Sequence, residues 1–110
     1  MTIGPINSKL APDMEAVLAT RSTFSAAVLR ATAAIPAGST ATYAEIAQAI
    51  GRPGAVRAVG TALARNPLAP RIPCHRVIRS DGKLGNYSGE GGPQTKAALL
   101  AAERQATERL

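Results

Sequence analysis

The sequence predicts a mostly α-helical domain: a winged helix-turn-helix with a short β-hairpin as its wing and a further helix at the C-terminus. The chain has 110 residues, 45% of them hydrophobic and 18% charged, which is typical of one small globular domain. Aromatic residues make up only 3%, without tryptophan, so the core must consist of small aliphatic side chains that suit closely packed helices. Apolar residues recur at helical spacing in several stretches, and a short extended segment follows them.

The N-terminal part predicts a tail over residues 1–22, with a short helix from about Met14 to Ala19, and the domain over residues 23–110. The domain begins with a helix from Thr23 to Ile35, because its apolar residues recur at helical spacing. These residues are Phe24, Ala27, Val28, Ala31 and Ile35. Pro36 and Gly38 end this helix.

Two closely spaced helices follow, which is the arrangement of a helix-turn-helix. Thr42 and Glu45 form a capping-box pattern, in which each side chain satisfies a backbone N–H at the start of a helix. That helix ends at Gly51, and the next runs over about residues 55–65. The residues predicted to face inward are Ile46 and Ile50 on the first helix, and Val56, Val59 and Leu63 on the second.

A hairpin and a last helix complete the predicted fold. Ile72–Ile78 has the composition of an extended segment, Asp81-Gly82 is a turn signal, and Leu84–Ser88 returns as a second strand. A hairpin in this position is the wing of a winged helix-turn-helix. Pro93 is favoured at the first position of a helix, which runs to about Thr107.

Positive charge is concentrated in one window of the chain. The net charge is +6, and seven basic residues lie between Arg52 and Lys83, opposed there only by Asp81. Such a field indicates an anionic partner, with nucleic acid as the first candidate. A solvated basic face with no partner is an equally weighted alternative at this point.

Single copies of cysteine and histidine limit the chemistry. Cys74 alone excludes an internal disulfide and fits a reducing compartment, and one histidine, His75, leaves too few ligands for a structural zinc site. We expect no metal or other cofactor. No signal-peptide pattern and no apolar run near the ~18 residues of a membrane span are present, so we expect a cytoplasmic protein without membrane contact.

The second helix of the helix-turn-helix has an unusually slim outer face. Gly60, Thr61 and Ala64 are small, whereas recognition helices normally extend long polar side chains to base edges. Glycine in a helix costs about 1 kcal/mol relative to alanine, which favours a close approach of some kind. The helix fits a narrow DNA groove, with Arg57 as the long reaching group, or else packs tightly against another helix.

The segment Pro73-Cys74-His75-Arg76 is the candidate reactive site. A thiol is a useful nucleophile only as the thiolate, which nearby positive charge favours, and Arg71 and Arg79 flank the segment. Neighbouring side chains of an extended chain point to opposite faces, so cooperation of Cys74 with His75 needs a bridging water or a turn at Pro73. The alternative is a buried, inert cysteine.

The last helix supplies a partner for His75. Lys96, Leu99, Leu100 and Glu103 share one face, and the two leucines indicate that this face packs inward. A buried carboxylate needs a partner, and His75 is the only histidine. Cys74, His75 and Glu103 would then be nucleophile, base and orienting acid. Alternatively, Glu103 pairs with an arginine such as Arg104 or reaches water.

Six ordered motifs resemble the C-terminal domain of the O6-alkylguanine-DNA alkyltransferases, over residues 24–103. The motifs are Tyr43-Ala44-Glu45-Ile46-Ala47, Arg57-Ala58-Val59-Gly60, Asn66-Pro67, Ile72-Pro73-Cys74-His75-Arg76-Val77-Ile78, Gly85-Asn86-Tyr87-Ser88-Gly89 and Lys96 with Leu99-Leu100 and Glu103. The resemblance implies a monomeric protein that binds double-stranded DNA in the minor groove, flips out an O6-alkylguanine and transfers the alkyl group to itself once. No cofactor is implied.

The resemblance also implies a role for each site residue. Cys74 would accept the alkyl group, His75 would act as the base through a water molecule with Glu103 as its partner, and Asn66 would brace the active-site turn. The residues implied to assist guanine departure are Tyr43 and Lys96, and those implied to line the pocket are Val77, Tyr87, Ser88 and Gly89. Arg57 would fill the vacated base stack. The other implied DNA contacts are Thr42, Tyr43, Ala58, Gly60, Thr61, Ala64 and Arg65.

Two features depart from the family pattern. Family members commonly carry a further N-terminal domain, which residues 1–22 cannot form, and the glycine-rich loop over residues 89–94 is longer than usual, with an acidic Glu90. The alkyltransferase-like proteins are similarly short and bind alkylguanine without repairing it, but they carry tryptophan where this chain has Cys74. Lesion binding without repair is therefore the alternative function, and a winged-helix transcription regulator is a third.

Overall fold

The computed structural model describes residues 3–4, 10–66, 68, 71–81 and 92–108. This part of the chain is mostly helical, as the sequence predicts. Its five helices are α1 (Pro12–Ala19), α2 (Thr23–Ala33), α3 (Tyr43–Ala49), α4 (Val56–Ala64) and α5 (Gly92–Glu108). A 3₁₀ turn spans Cys74–Arg76, and β1 (Ala41–Thr42) and β2 (Val77–Ile78) form a two-stranded sheet. No helix in these ranges has both the length and the apolar character needed to cross a membrane.

Side-chain caps fix where α2 and α3 begin. The predicted capping box of α3 is confirmed: the Thr42 hydroxyl accepts from the Glu45 N–H at 3.1 Å, and the Glu45 carboxylate accepts from the Thr42 N–H at 2.9 Å. At α2, the Ser22 hydroxyl accepts a hydrogen bond from the Ser25 N–H in the same way. The helices therefore begin where local side-chain chemistry dictates.

The helix-turn-helix consists of α3 and α4, both packed against α2. Gly51 makes the turn after α3 with a φ of +75°, a backbone conformation that glycine adopts without strain. Val59 and Leu63 of α4 are buried as predicted, but the prediction for Val56 is wrong, because Val56 is 38% exposed. Val56 lies one turn before Val59, and burial of the α4 stripe begins only at Val59 and continues through Ala62. Hydrophobic periodicity identifies the inward face of a helix, but it does not show how much of that face the neighbouring elements cover.

The first helix belongs to the same core as the helix-turn-helix. Met14 and Leu18 are buried and α1 packs on α2, where Glu15 and Arg30 form an ion pair. Residues 12–19 are thus a packed part of the domain.

The segment 72–78 is not continuously extended, which corrects the predicted strand. The Cys74 N–H donates to the Ile72 carbonyl at 2.8 Å across Pro73, whose φ of −82° and ψ of 66° make an inverse γ-turn. After the 3₁₀ turn, β2 pairs in parallel with β1, with Ala41 opposite Val77. The predicted turn at Gly82 and return strand Leu84–Ser88 lie outside the described residues.

Candidate active site and nucleic-acid interface

Two consecutive turns present Cys74 and His75. The inverse γ-turn at Pro73 is followed directly by the 3₁₀ turn, whose Arg76 N–H donates to the Pro73 carbonyl at 2.9 Å. Both side chains are buried, with 4% of Cys74 and 2% of His75 exposed. The two residues therefore do not follow the alternation of a strand, and of the two expected routes to cooperation, a bridging water or a turn at Pro73, the turn is present.

Glu103 of α5 contacts His75, as the sequence predicts. The His75 Nε2 lies 3.0 Å from Glu103 Oε2. The alternative partner, an arginine, is present as well, but it is Arg76 and not the exposed Arg104. Arg76 donates from Nε to Oε1 at 2.9 Å and from Nη2 to Oε2 at 2.5 Å. Sequence reasoning missed Arg76 as a partner, although its place next to His75 in the motif was a signal.

Opposing effects set the charge of Glu103. Burial raises the pKa of its carboxyl, but the hydrogen bonds from Arg76 and His75 and their charges lower it, and the net pKa lies below its ordinary value. Glu103 is therefore an ionised acceptor at neutral pH.

Asn66 holds the loop that leads into the reactive turn. Its side chain is buried, and its Nδ2 donates to the Ile72 carbonyl at 3.0 Å while its Oδ1 accepts from the Leu68 N–H at 2.9 Å. The Ile72 carbonyl also accepts from Cys74 in the γ-turn. One amide thus links the end of α4 to the turn that carries the cysteine.

Lys96 and Tyr43 lie within electrostatic range of Cys74. Lys96 has no exposed surface, and its Nζ donates to the Val77 carbonyl at 2.6 Å and lies 5.9 Å from the centre of the Tyr43 ring. Burial lowers the pKa of Lys96 to about 8, against an opposing effect of Cys74. The pKa of Tyr43 is raised, mainly by burial and to a lesser extent by the charge of Cys74. The charge of Arg79 lowers it by a smaller amount. Both groups thus interact electrostatically with Cys74.

The predicted pocket is only partly within the described ranges. The Val77 side chain is completely buried, and its carbonyl receives Lys96. Tyr87, Ser88 and Gly89 lie outside the described residues. Within those residues, no three histidine, cysteine, aspartate or glutamate side chains lie together as metal ligands would.

The slim face of α4 points away from the rest of the described chain. A Cβ built on Gly60 meets no atom within 4 Å, so tight packing against another described helix does not explain the small residues. That alternative is wrong for this part of the molecule. The exposed residues of this surface are Arg57, Ala58, Thr61, Ala64 and Arg65, while Thr42 and Tyr43 are partly exposed. A groove of about 270 Å³ runs beside it, lined by Phe24, Ser25, Ala58, Thr61, Ala62 and Arg65.

Ion pairs reduce the positive field predicted from the sequence window. Two partners come from outside the window: Asp13 of α1 pairs with Arg71, and Glu103 pairs with Arg76. Arg79 pairs with Asp81. Arg52, Arg57 and Arg65 are exposed. They have no acidic partner among the described residues, so the uncompensated charge is concentrated at the helix-turn-helix.

Residues 23–105 match the family described as 6-O-methylguanine DNA methyltransferase, DNA binding domain. Over 84 residues the chain is 52% identical to a methylated-DNA–protein-cysteine methyltransferase of Mycolicibacterium paratuberculosis, which covers 76% of this chain and 50% of that protein. The chain thus spans about half the length of the curated relatives it matches.

Solved structures show the same similarity in three dimensions. The crystal structure of Mycobacterium tuberculosis OGT in complex with DNA superimposes with a TM-score of 0.73 at 48% identity, covering 77% of this chain and 52% of that one. The crystal structure of S. pombe Atl1 in complex with damaged DNA containing O6-carboxymethylguanine gives a TM-score of 0.66 at 34% identity. It covers 76% of this chain and 79% of Atl1.

Proposed function

Since the chain belongs to the 6-O-methylguanine DNA methyltransferase family through its DNA-binding domain, we propose that it transfers an alkyl group from O6-alkylguanine in DNA to Cys74. The observation that carries the proposal is the shared 3₁₀ turn of Cys74 and His75, with Glu103 hydrogen-bonded to His75. A nucleophile next to a base that a third group orients is the usual arrangement for nucleophilic catalysis.

The reaction begins with ionisation of the thiol. His75 takes the Cys74 proton through a water molecule, while Glu103 holds the imidazole in place. The thiolate then attacks the alkyl carbon, so that the S–C bond forms as the C–O6 bond breaks with its electron pair on the guanine. The net reaction converts a thiol and an O6-alkylguanine to a thioether and guanine, with the thiol proton ending on guanine.

Two donors assist the departure of guanine. Tyr43 keeps its proton because its pKa is raised, and it donates toward the ring nitrogen as negative charge develops. Lys96, with a pKa of about 8, is mainly an ammonium at neutral pH and stabilises the same charge. None of the described side chains of the site can cleave the thioether product, so each molecule reacts once, and the reaction as written needs no cofactor.

The α4 surface supplies the DNA contacts of the proposal. A helix without side-chain bulk at Gly60 can enter the minor groove closely, and Arg57 fills the stack that the flipped guanine leaves. Flipping costs a few kcal/mol of unstacking, which the inserted guanidinium partly offsets. The residues that contact the DNA backbone and minor groove in this proposal are Thr42, Tyr43, Ala58, Thr61, Ala64 and Arg65. Those that line the pocket for the flipped base are Val77, Tyr87, Ser88 and Gly89. The protein acts on double-stranded DNA as a monomer.

The test is the fate of a methyl group. The protein is incubated with a duplex oligonucleotide containing O6-methylguanine, and its peptides are analysed by mass spectrometry. We expect one methyl group on Cys74 and restored guanine in the DNA, and neither with Cys74→Ala. Methylation of another residue, or none at all despite lesion binding, would contradict the proposal.

Lesion binding without transfer is the second candidate function. The chain covers 79% of Atl1 but only 52% of the OGT chain, so the similarity extends over a larger share of Atl1. The presence of Cys74 beside His75 favours transfer. Tight binding of the O6-methylguanine duplex with unmodified Cys74 after prolonged incubation would establish the binding function instead.

A further inference from the structure

Arg76 joins three parts of the molecule through one partly buried guanidinium. Its Nε and Nη2 donate to the two oxygens of Glu103, and its Nη1 donates to the Ile35 carbonyl at 2.6 Å. The reactive turn is thereby tied to α5 and to the segment after α2. The side chain is only 16% exposed, so these bonds are largely shielded from water. Such a pair is geometrically specific because the planar fork of a guanidinium matches a carboxylate.

The same carboxylate serves His75. Glu103 Oε2 accepts a hydrogen bond from Arg76 and also contacts His75 Nε2. The guanidinium that fixes the plane of the carboxylate therefore also fixes the position of the oxygen that His75 contacts. The guanidinium binds the same carboxylate as His75, so its positive charge opposes the attraction of that carboxylate for a proton on the imidazole. A bare carboxylate would instead favour the protonated imidazole, which cannot take a proton from a thiol.

The other ionisable groups near the reactive turn belong to several elements. Cys74 lies on the turn itself, Lys96 on α5, Tyr43 at the start of α3 and Arg79 after β2. From the α2 side, Arg76 meets an uncharged carbonyl, that of Ile35, and Arg30 of α2 pairs with Glu15. Arg76 is therefore the guanidinium that contacts Glu103 directly within the described part of the chain.

We infer that Arg76 is a positioning residue of the transfer reaction: it orients Glu103 and offsets its charge, so that His75 can act as the base for Cys74. This inference rests on the proposed function. It separates into two effects: the charge of Arg76 opposes the charge of Glu103, and the planar guanidinium fixes the orientation of the Glu103 carboxylate toward His75. Lysine keeps the first effect and loses the second, while glutamine loses both.

The experiment measures the single-turnover rate of methyl transfer from about pH 5 to about pH 9, where an imidazole titrates. We expect Arg76→Gln to move the acid limb of the profile upward by about one pH unit, which is a rate loss of about tenfold below that limb. Arg76→Lys leaves the limb in place and lowers the plateau rate several-fold. Arg104→Gln, an exposed arginine next to Glu103 on α5, changes neither.

Two results would overturn the inference. One is a plot of transfer rate against pH for Arg76→Gln that runs parallel to that of the wild type at every pH. That result is expected if Arg76 only supports the structure. The other is an Arg76→Lys variant with wild-type rates throughout, which also decides the matter if the glutamine variant does not fold. Circular dichroism establishes folding of each variant beforehand.

A second readout separates this inference from the proposed function. Alkylation of Cys74 by iodoacetamide uses the same thiol without DNA or a guanine leaving group. Suppose that Cys74 of the wild type takes up no methyl group from DNA, but the pH profile of iodoacetamide alkylation shifts in Arg76→Gln relative to the wild type as described. The transfer proposal then fails and the role of Arg76 stands. If transfer occurs and neither profile shifts, the role of Arg76 fails alone.

Discussion

Lys96 holds its ammonium group entirely away from solvent. Its side chain has no exposed surface, and its described hydrogen bond is to the Val77 carbonyl, an uncharged acceptor. A charge buried in this way is costly, which is why its pKa falls to about 8. The cost is consistent with a catalytic use, since the same ammonium lies close enough to Cys74 to affect it electrostatically.

The depressed pKa of Lys96 predicts how stability depends on pH. Between about pH 8 and 10.5, the unfolded chain holds the Lys96 proton while the folded protein has released it. The free energy of unfolding therefore rises with pH in this window, by at most about 3 kcal/mol for this group. Lys96→Met removes the titration, so the stability of the wild type relative to this variant increases across the window. Urea unfolding at a series of pH values measures the difference.

Tyr43→Phe is the matched control, because Tyr43 titrates with the opposite sign. Its pKa is raised on folding, so the wild type loses stability relative to the phenylalanine variant as pH rises above the ordinary tyrosine value. A flat difference between the wild type and Lys96→Met would show that Lys96 is solvated in the folded protein.

At the scale of elements, the sequence predicts what depends on local chemistry. The capping box at Thr42 and Glu45 and the glycine that ends α3 use residues a few positions apart, and both are found in the structure. The contact between His75 and Glu103 was also predictable, since a carboxylate on an inward helix face needs a partner and the chain has one histidine.

The remaining features depend on contacts between distant parts of the chain. The parallel pairing of β1 with β2 joins Ala41 to Val77, and no local signal specifies it. Arg76 could not be assigned to Glu103 from spacing alone, because that assignment needs the relative placement of the reactive turn and α5. Likewise Val56 lies on the predicted face of α4 but beyond the part of that face that is buried.

The open space over Gly60 predicts opposite effects on folding and on DNA binding. Gly60→Ala adds a methyl group that meets no described atom and removes the helix penalty of glycine, so the protein gains about 0.5–1 kcal/mol of stability. If α4 enters a DNA groove closely, the same methyl group lowers affinity for duplex DNA. Thermal unfolding and a fluorescence-anisotropy titration measure the two effects.

Ala64→Gly is the converse control on the same face of α4. It removes a methyl group, so it lowers stability without adding any bulk against DNA. A loss of stability in Gly60→Ala would restore helix packing as the reason for the small residues, and unchanged DNA affinity would remove the close-approach argument.

For the whole molecule, ion pairing redistributes a formal net charge of +6. Arg71 and Arg76 belong to the basic window in sequence, but acidic residues from α1 and α5 neutralise them in the fold. Arg52 and Arg65 flank α4 as exposed cations. The exposed basic residues of the window, Arg52, Arg57 and Arg65, therefore place positive charge at the helix-turn-helix, on α4 and at its two ends.

This distribution predicts the salt dependence of DNA binding. Each cation that neutralises a phosphate contributes about one unit to the slope of log K against log salt concentration, through release of counterions. We expect Arg52→Gln and Arg65→Gln each to reduce the magnitude of that slope by about one. Arg71→Gln should leave it nearly unchanged, since the Arg71 charge is already paired with Asp13 in an exposed bridge that contributes little to folding. Anisotropy titrations of one duplex at several salt concentrations give the slopes, and an equal reduction by all three variants would mean that net charge, rather than the fold's placement of it, governs binding.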